Sequence, residues 1–177
     1  MTDNANARTR RSAEELAAAW EHLLYEIKML FGTARALHNL SSGKSEERRM
    51  WAVRNALTES FSVHARRLIE ILYPSEPGSD DVLAEDFFDN PAAWTERRPD
   101  ESPLLRAVQG DADRHVSFAR LDTTPEPQGP EAASVARDLR TALRAFLAMA
   151  PVHWISDESR LYALSIMADE IPAPADA

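Results

Sequence analysis

An apolar side chain recurs at every third or fourth position over a long stretch near the start of the sequence, and this periodicity restricts the fold most. Steps of four and three residues alternate, which is the spacing of one face of an α-helix rather than of a strand. The stripe predicts a long first helix that ends near Leu40, and Ser12 with Glu15 forms a capping-box motif at its start. The members of the stripe are Leu16, Trp20, Leu23, Ile27, Leu30, Ala34 and Leu37.

A second helix is predicted after the short turn at residues 41–44. Ser45 is placed to cap its start, and it ends at Tyr73 because Pro74 cannot continue it. The short connection makes the two helices antiparallel neighbours. One stripe of this second helix carries a titratable residue among apolar ones: Met50, Val53, Leu57, Phe61, His64, Leu68 and Ile71.

The third quarter of the chain repeats these helix signals. Residues 81–94 combine acidic and aromatic side chains and predict one or two short helices. The pair Ser102-Pro103 then supplies a cap and a first-turn proline for a third main helix, which extends to about residue 121. The core face predicted for this helix is Leu105, Val108, Ala112, His115 and Ala119.

A proline-rich linker at residues 122–130 precedes a fourth long helix, which Pro151 ends. Ser156 is expected to cap a last, shorter helix. The predicted core face of the fourth helix is Ala132, Val135, Leu139, Leu143, Phe146 and Ala150, and that of the last helix is Leu161, Leu164 and Ala168.

The sequence therefore predicts an all-α fold, because no stretch alternates with the period of a strand. We expect an up-and-down bundle of four long helices with short accessory helices. Gly occupies only 5 of 177 positions and 44% of the residues are hydrophobic, which suits a helical protein with a substantial core. One domain is expected over residues 12–171, with a disordered leader at 1–11 and a flexible tail at 172–177.

The charge balance restricts the partners. Acidic side chains outnumber basic ones by 29 to 20, and the net charge of −9 opposes binding to long DNA or to an anionic membrane. The chain has no cysteine, so disulfides and Cys-ligated zinc are excluded. The longest uncharged run, residues 145–156, contains Pro151 and is too short to span a bilayer. These features favour a cytoplasmic protein without a membrane partner.

Two histidines on predicted apolar faces, His64 and His115, are the main candidates for a functional site. If the second and third helices pack side by side, both imidazoles and the guanidinium of Arg67 or Arg120 could share a pocket. We assign a catalytic role to these four residues. Their neighbours on the same helices are expected to contribute to binding: Glu59, Ser60, Arg66 and Arg114.

Such a pocket has more than one chemical interpretation. It could act on RNA, because an imidazole can take the proton of a 2′-hydroxyl while a guanidinium stabilises the charge on the phosphate. It could equally hold a nucleotide phosphate without chemistry. The two histidines with Glu59, or with an acidic residue elsewhere, could also bind a divalent ion, but the Glu-x-x-His spacing of metal-binding bundles is absent, so we expect neither metal nor cofactor. The remaining interpretation is that each histidine is a core residue satisfied by a hydrogen bond.

Two short runs stand out on the predicted helices: Glu-Ser-Phe-x-x-His-x-Arg at residues 59–66 and Asp-Arg-His-Val at residues 113–116. The first lies on the second helix of the long antiparallel pair, and the second lies on the helix that follows the aromatic, acidic segment. In this arrangement the chain resembles small bacterial proteins of unknown function with a HEPN-like helical bundle. The resemblance covers roughly residues 13–150. It implies a bundle of four or five helices, a tendency to dimerise, a role in toxin–antitoxin or phage-defence systems and, for many members, RNA cleavage. The ribonucleases of this family carry an Arg four to six residues before a His, and neither His64 nor His115 is preceded in that way.

The leading hypothesis from the sequence is a HEPN-like bacterial protein that binds RNA or a nucleotide through the His/Arg pocket and could cleave RNA. The alternative is a non-catalytic protein whose bundle surface docks a partner protein or a second copy of itself. The first hypothesis needs both histidines in one accessible pocket, and the second tolerates their replacement by hydrophobic residues.

Overall fold

A computed structural model of the chain describes residues 10–41, 47–115 and 129–168, with side chains over 10–40, 50–109 and 132–168. All regular secondary structure in these ranges is helical, which confirms the predicted all-α class. The elements in chain order are α1 (Ala13–Ser41), α2 (Glu47–Leu72), a 3-10 helix (Ala84–Phe87), α3 (Ala92–Thr95), α4 (Pro103–His115), α5 (Gly129–Met149) and α6 (Asp157–Ala168).

The capping box predicted at the start of α1 is present. The backbone N–H of Ser12 donates to Glu15 Oε2 at 2.7 Å, and the backbone N–H of Glu15 donates to Ser12 Oγ at 3.2 Å. The bond from the Ser12 backbone, followed by the Ser12 side chain, lowers the pKa of the Glu15 carboxyl because the ionised form is the better acceptor. All seven apolar positions of the predicted stripe, from Leu16 to Leu37, are buried, so that prediction is confirmed.

The helices α1 and α2 run antiparallel. Arg54 donates to the backbone carbonyl of Leu40 at 3.4 Å, and further along the pair His64 meets Glu26. As the residue number falls along α1, the number of the partner on α2 rises, as in a helical hairpin. The helix α1 also contacts α5 and α6, and α2 also contacts α4 and α5.

The stripe predicted on α2 is buried only in its second half. Phe61, His64 and Leu68 are buried, but Val53 is 45% exposed and was wrongly assigned to the core. The nearby Trp51 is 66% exposed as well. The periodicity identifies the apolar face correctly, but it does not tell how far along the helix the neighbouring elements extend.

Ser102, which the sequence predicts as the cap of α4, also forms a hydrogen bond to α5. Ser102 Oγ accepts a bond from the backbone N–H of Leu105 at 3.2 Å and donates to Asp138 Oδ2 on α5 at 2.6 Å. Leu105 is buried as expected. The predicted continuation of this helix to residue 121 lies outside the described residues. The predicted core face of α5 is confirmed, since all six members are buried: Ala132, Val135, Leu139, Leu143, Phe146 and Ala150.

The core face predicted for the last helix is only partly right. Leu164 packs against the core, but Leu161 is 67% exposed and Ala168 is exposed, whereas Ala163 and Met167 are buried. The guanidinium of Arg160 donates to the backbone carbonyls of Leu147, Ala150 and Ile155, and these bonds connect the first turn of α6 to the end of α5. Because apolar residues occur on several sides of α6, the spacing alone permits more than one core face.

The segment between α2 and α4 packs aromatic rings against the end of α5. Phe87, Phe88 and Trp94 each lie with their ring centroids within 6.0 Å of that of Phe146. Trp94 Nε1 also donates to the carbonyl of Leu72 at 3.3 Å, which satisfies an acceptor at the end of α2.

The buried side chains of the described residues form one contiguous hydrophobic cluster, to which α1, α2, α4, α5 and α6 all contribute. None of the helices described combines the length and hydropathy that a bilayer-spanning segment needs.

Candidate functional site

His64 is buried in the seam between α1 and α2, where it contacts two consecutive residues of α1. Only 8% of its surface is exposed. Its Nδ1 lies 2.5 Å from Glu26 Oε2, and its ring meets that of Tyr25 edge-on with the centroids 5.7 Å apart. The histidine therefore has a specific carboxylate partner, and the tyrosine ring covers part of it.

The hairpin geometry explains why these residues meet. Glu26 and His64 are 38 residues apart in sequence, which places both of them 19 positions from Ser45. In an antiparallel helix pair joined by a short turn, residues equidistant from the turn lie side by side. Glu26 precedes Ile27 of the apolar stripe, so its carboxylate reaches the edge of the seam rather than open solvent.

The contact favours one tautomer of the neutral imidazole. Because an ionised carboxylate can only accept, it favours the form of His64 with its proton on Nδ1 and with Nε2 as an acceptor. The exposed fractions of the two side chains are only 11% for His64 and 13% for Glu26. Removal of either partner would leave a largely buried polar group unsatisfied, at a cost of about 1–3 kcal/mol.

A groove of about 640 Å³ opens beside this pair. Its walls are the first half of α1, the last turns of α2 and the loop at residues 74–83. Glu26 forms part of the wall, so the Glu26–His64 pair borders the groove. The floor includes half-buried apolar side chains from all three segments: Ala19, Ile71, Pro74 and Val82.

The polar lining of this groove is mainly acidic. Its described basic groups are His22 and Arg67, whereas its carboxylates are Glu26, Glu70, Glu76, Asp80 and Asp81. Glu26 is paired with His64, and Asp81 Oδ2 accepts a hydrogen bond from the backbone N–H of Gly78 at 2.6 Å. Glu70 and Glu76 are exposed and, within the ranges that the structure describes, neither has an ion-pair partner.

The loop wall of the groove is held in place from the start of the chain. The guanidinium of Arg11 donates to the carbonyls of Ser79 and Asp81, the second at 2.8 Å. Within the loop, a Cβ at Gly78 would lie only 3.1 Å from Asp81 Oδ2, so a glycine suits this tight turn. These bonds hold the loop against α1 and keep its carboxylates at the groove.

The predicted site residues on α2 are only partly brought together. Arg67 lines the groove, one turn after His64. Glu59 is exposed on the outer surface, and Ser60 and Arg66 are half-buried away from the groove lining. The Nε of Arg66 is buried without a hydrogen-bond partner.

The predicted site residues after α2 cannot be located at the groove. The backbone of Arg114 and His115 forms the end of α4, but their side chains lie outside the described residues, and so does Arg120. A pocket shared by His64 and His115 therefore stays a prediction.

Sequence reasoning missed Glu26, which is the direct partner of His64. A partial signal was present, because the predicted turn at residues 41–44 makes the two helices antiparallel neighbours, but the register it sets falls more than one helical turn short of pairing positions 26 and 64. The acidic lining had no comparable signal. Its members come from two helices and a loop, and only the tertiary structure brings them to one groove.

Among the described residues, no group of three or more His, Asp or Glu side chains is arranged to hold a metal ion. Comparisons of the chain with protein-family models, with curated proteins and with solved structures found no match.

Proposed function

We propose that this chain is a non-catalytic interaction module that binds a partner protein in the groove between α1 and α2. The observation that carries the proposal is the groove itself, which is open, has an apolar floor and is bordered by Glu70 and Glu76, for which the described part of the chain supplies no ion-pair partner. Protein-binding sites combine an apolar centre with a polar rim in the same way. The groove is also large enough to take several side chains of a partner.

In this proposal His64 has a structural role. Its burial and its bond to Glu26 join α1 to α2 beside the groove, and so they support the wall on which the partner binds. A general acid or base must reach the group whose proton it transfers. An imidazole that is 8% exposed offers little surface for that contact.

Two further predictions from the sequence belong to this proposal. The helices are expected to form an up-and-down bundle of four long helices, which would leave the α1–α2 seam accessible along one side. The chain is expected to act in the cytoplasm, where a cysteine-free protein needs no oxidising compartment.

A second candidate function is the HEPN-like one, in which the chain binds RNA or a nucleotide and could cleave RNA. One observation favours it: Glu26 holds Nδ1 of His64, as carboxylates do for catalytic histidines, and Arg67 lines the groove beside them. The five carboxylates of the groove oppose it, because they repel a phosphate backbone. This candidate also requires His115 and Arg120 to lie near His64.

Site-specific photo-crosslinking in the source cells tests the first proposal. Benzoylphenylalanine replaces Arg67 in the groove or, as a matched control, the exposed Arg144 on α5, which is not part of the groove. We expect a discrete protein adduct from position 67 only, lost when purified wild-type chain is added as competitor. Equal adducts from both positions, or none from position 67, would contradict the proposal. Adducts with the chain itself, together with a dimer in light scattering, would identify a second copy as the partner.

The second candidate is tested with labelled single-stranded RNA. Cleavage by the wild type that is lost in a folded His64→Ala variant would favour it over the interaction module. Equal cleavage by the wild type and by the double variant His64→Ala, His115→Ala would remove the proposed catalytic pocket.

A further inference from the structure

The groove between α1 and α2 joins an apolar floor to an acidic rim, and this combination specifies the chemistry of its occupant. Ile71 and Val82 lie half-buried at its base, and Glu70 and Glu76 stand exposed at its border. Burying the exposed part of the floor is favourable for an apolar side chain. A cationic side chain at the rim would gain ion pairs that the described part of the chain does not supply.

The charges of the groove disfavour other occupants. Five carboxylates against Arg67 and His22 give the lining an acidic excess, which repels phosphate and nucleic acid. A second copy of this chain also has a net charge of −9, so its surface is on average repelled by the same lining. For a basic, amphipathic polypeptide, both the acidic rim and the apolar floor of the groove contribute favourably to the free energy of binding.

We propose that the occupant of the groove is a basic, amphipathic polypeptide segment of a partner protein, with apolar side chains against Ile71 and Val82 and Lys or Arg side chains against Glu70 and Glu76. This inference rests on the proposed interaction function and specifies the chemical class of the partner that binds in the groove. The positive segment would also be steered towards the chain by its net negative charge, and binding weakens as the salt concentration rises.

Fluorescence anisotropy with short labelled peptides tests the inference. The probe is a peptide composed of Lys and Leu, and its counterparts carry Gln or Glu in place of every Lys. The groove variant is Glu70→Gln, Glu76→Gln. The control variant Glu21→Gln, Glu96→Gln changes the net charge equally at exposed positions that do not line the groove. Circular dichroism checks that both variants fold.

The Lys peptide is expected to bind the wild type and the control variant equally and the groove variant about tenfold more weakly, as the loss of two exposed ion pairs implies. The Glu peptide should not bind. Binding of the Lys peptide that is insensitive to the groove variant, or no binding at all, would overturn the inference.

Backbone NMR shifts separate failure of the partner class from failure of the site. If the Gln peptide binds as tightly as the Lys peptide and shifts resonances of the groove, the partner is not specifically basic but the groove remains the docking surface. If the peptides shift only resonances away from the groove, both the inference and the proposed function fail.

Discussion

Glu26 on α1 and His64 on α2 are 38 residues apart in sequence, and Oε2 of the first lies 2.5 Å from Nδ1 of the second. Each largely buried side chain satisfies the other. Because Glu26 also lines the groove, the same contact joins the helix seam to the proposed binding surface.

A double-mutant cycle measures the strength of this contact. We expect Glu26→Ala and His64→Ala each to lower the free energy of unfolding by about 1–3 kcal/mol, since each leaves a shielded polar partner unsatisfied. The double variant should lose about 1 kcal/mol less than the sum of the two. Urea denaturation supplies the free energies. The exposed Glu21→Ala on the same helix is the control and should stay within about 0.5 kcal/mol of the wild type. Strictly additive losses would show that the two side chains do not interact.

The tautomer of His64 is a second prediction. Because the carboxylate of Glu26 accepts from Nδ1, neutral His64 should carry its proton on Nδ1 rather than on Nε2. The nitrogen-15 shifts of the imidazole distinguish the two tautomers directly. In Glu26→Ala this preference should weaken, whereas Glu21→Ala should leave it unchanged. A wild-type imidazole with its proton on Nε2 would contradict the geometry described.

The capping box at Ser12 and Glu15 predicts a dependence on acidic pH. Its hydrogen bonds lower the pKa of Glu15 below the ordinary 4.5, so the ionised carboxylate stabilises the folded state. This contribution is fully present above the unfolded pKa and is lost as the pH falls through the lowered value. The stability difference between wild type and Glu15→Gln should therefore be larger at neutral pH than at low pH. A difference that does not change with pH in urea titrations would count against the cap.

The buried hydroxyl of Tyr73 predicts a loss of stability at alkaline pH. Burial raises the pKa of its hydroxyl above 10.0, against the smaller opposing effect of Arg98, and the hydroxyl donates to the carbonyl of Pro99 at 3.1 Å. The folded state keeps the proton more tightly than the unfolded state, so stability is constant below the unfolded pKa and falls as the pH rises above it.

The matched variant for this prediction is Tyr73→Phe. It should be less stable than the wild type by about 1 kcal/mol at neutral pH because it lacks the hydrogen bond. Above pH 10 the difference in the free energy of unfolding between the two proteins should shrink. When the absorbance of the wild type is followed against pH, one tyrosine should form its phenolate at a higher pH than the others. Parallel stability curves for the two proteins would show that Tyr73 ionises normally.

The helices of this chain could be predicted because their signals are local. A capping serine and its hydrogen-bonding partner are three residues apart, so residues close in sequence predict the starts of α1 and α4. An apolar face repeats within four residues, so nearby residues also predict the buried faces of α1 and α5. The candidate site was predicted less completely. His64 and Arg67 were identified from their helix, but the acidic character of the groove beside them was not.

The sequence by itself determined that the described segments are helical, where the caps of α1 and α4 lie and that His64 lies among apolar residues. Only the tertiary structure decided that Glu26 is its partner, that Val53 is exposed, and that Met167 rather than Leu161 faces the core from α6. The physical reason is the distance along the sequence over which each interaction acts. Backbone hydrogen bonds and helix periodicity act over a few residues, whereas burial and side-chain pairing depend on which distant segments pack together.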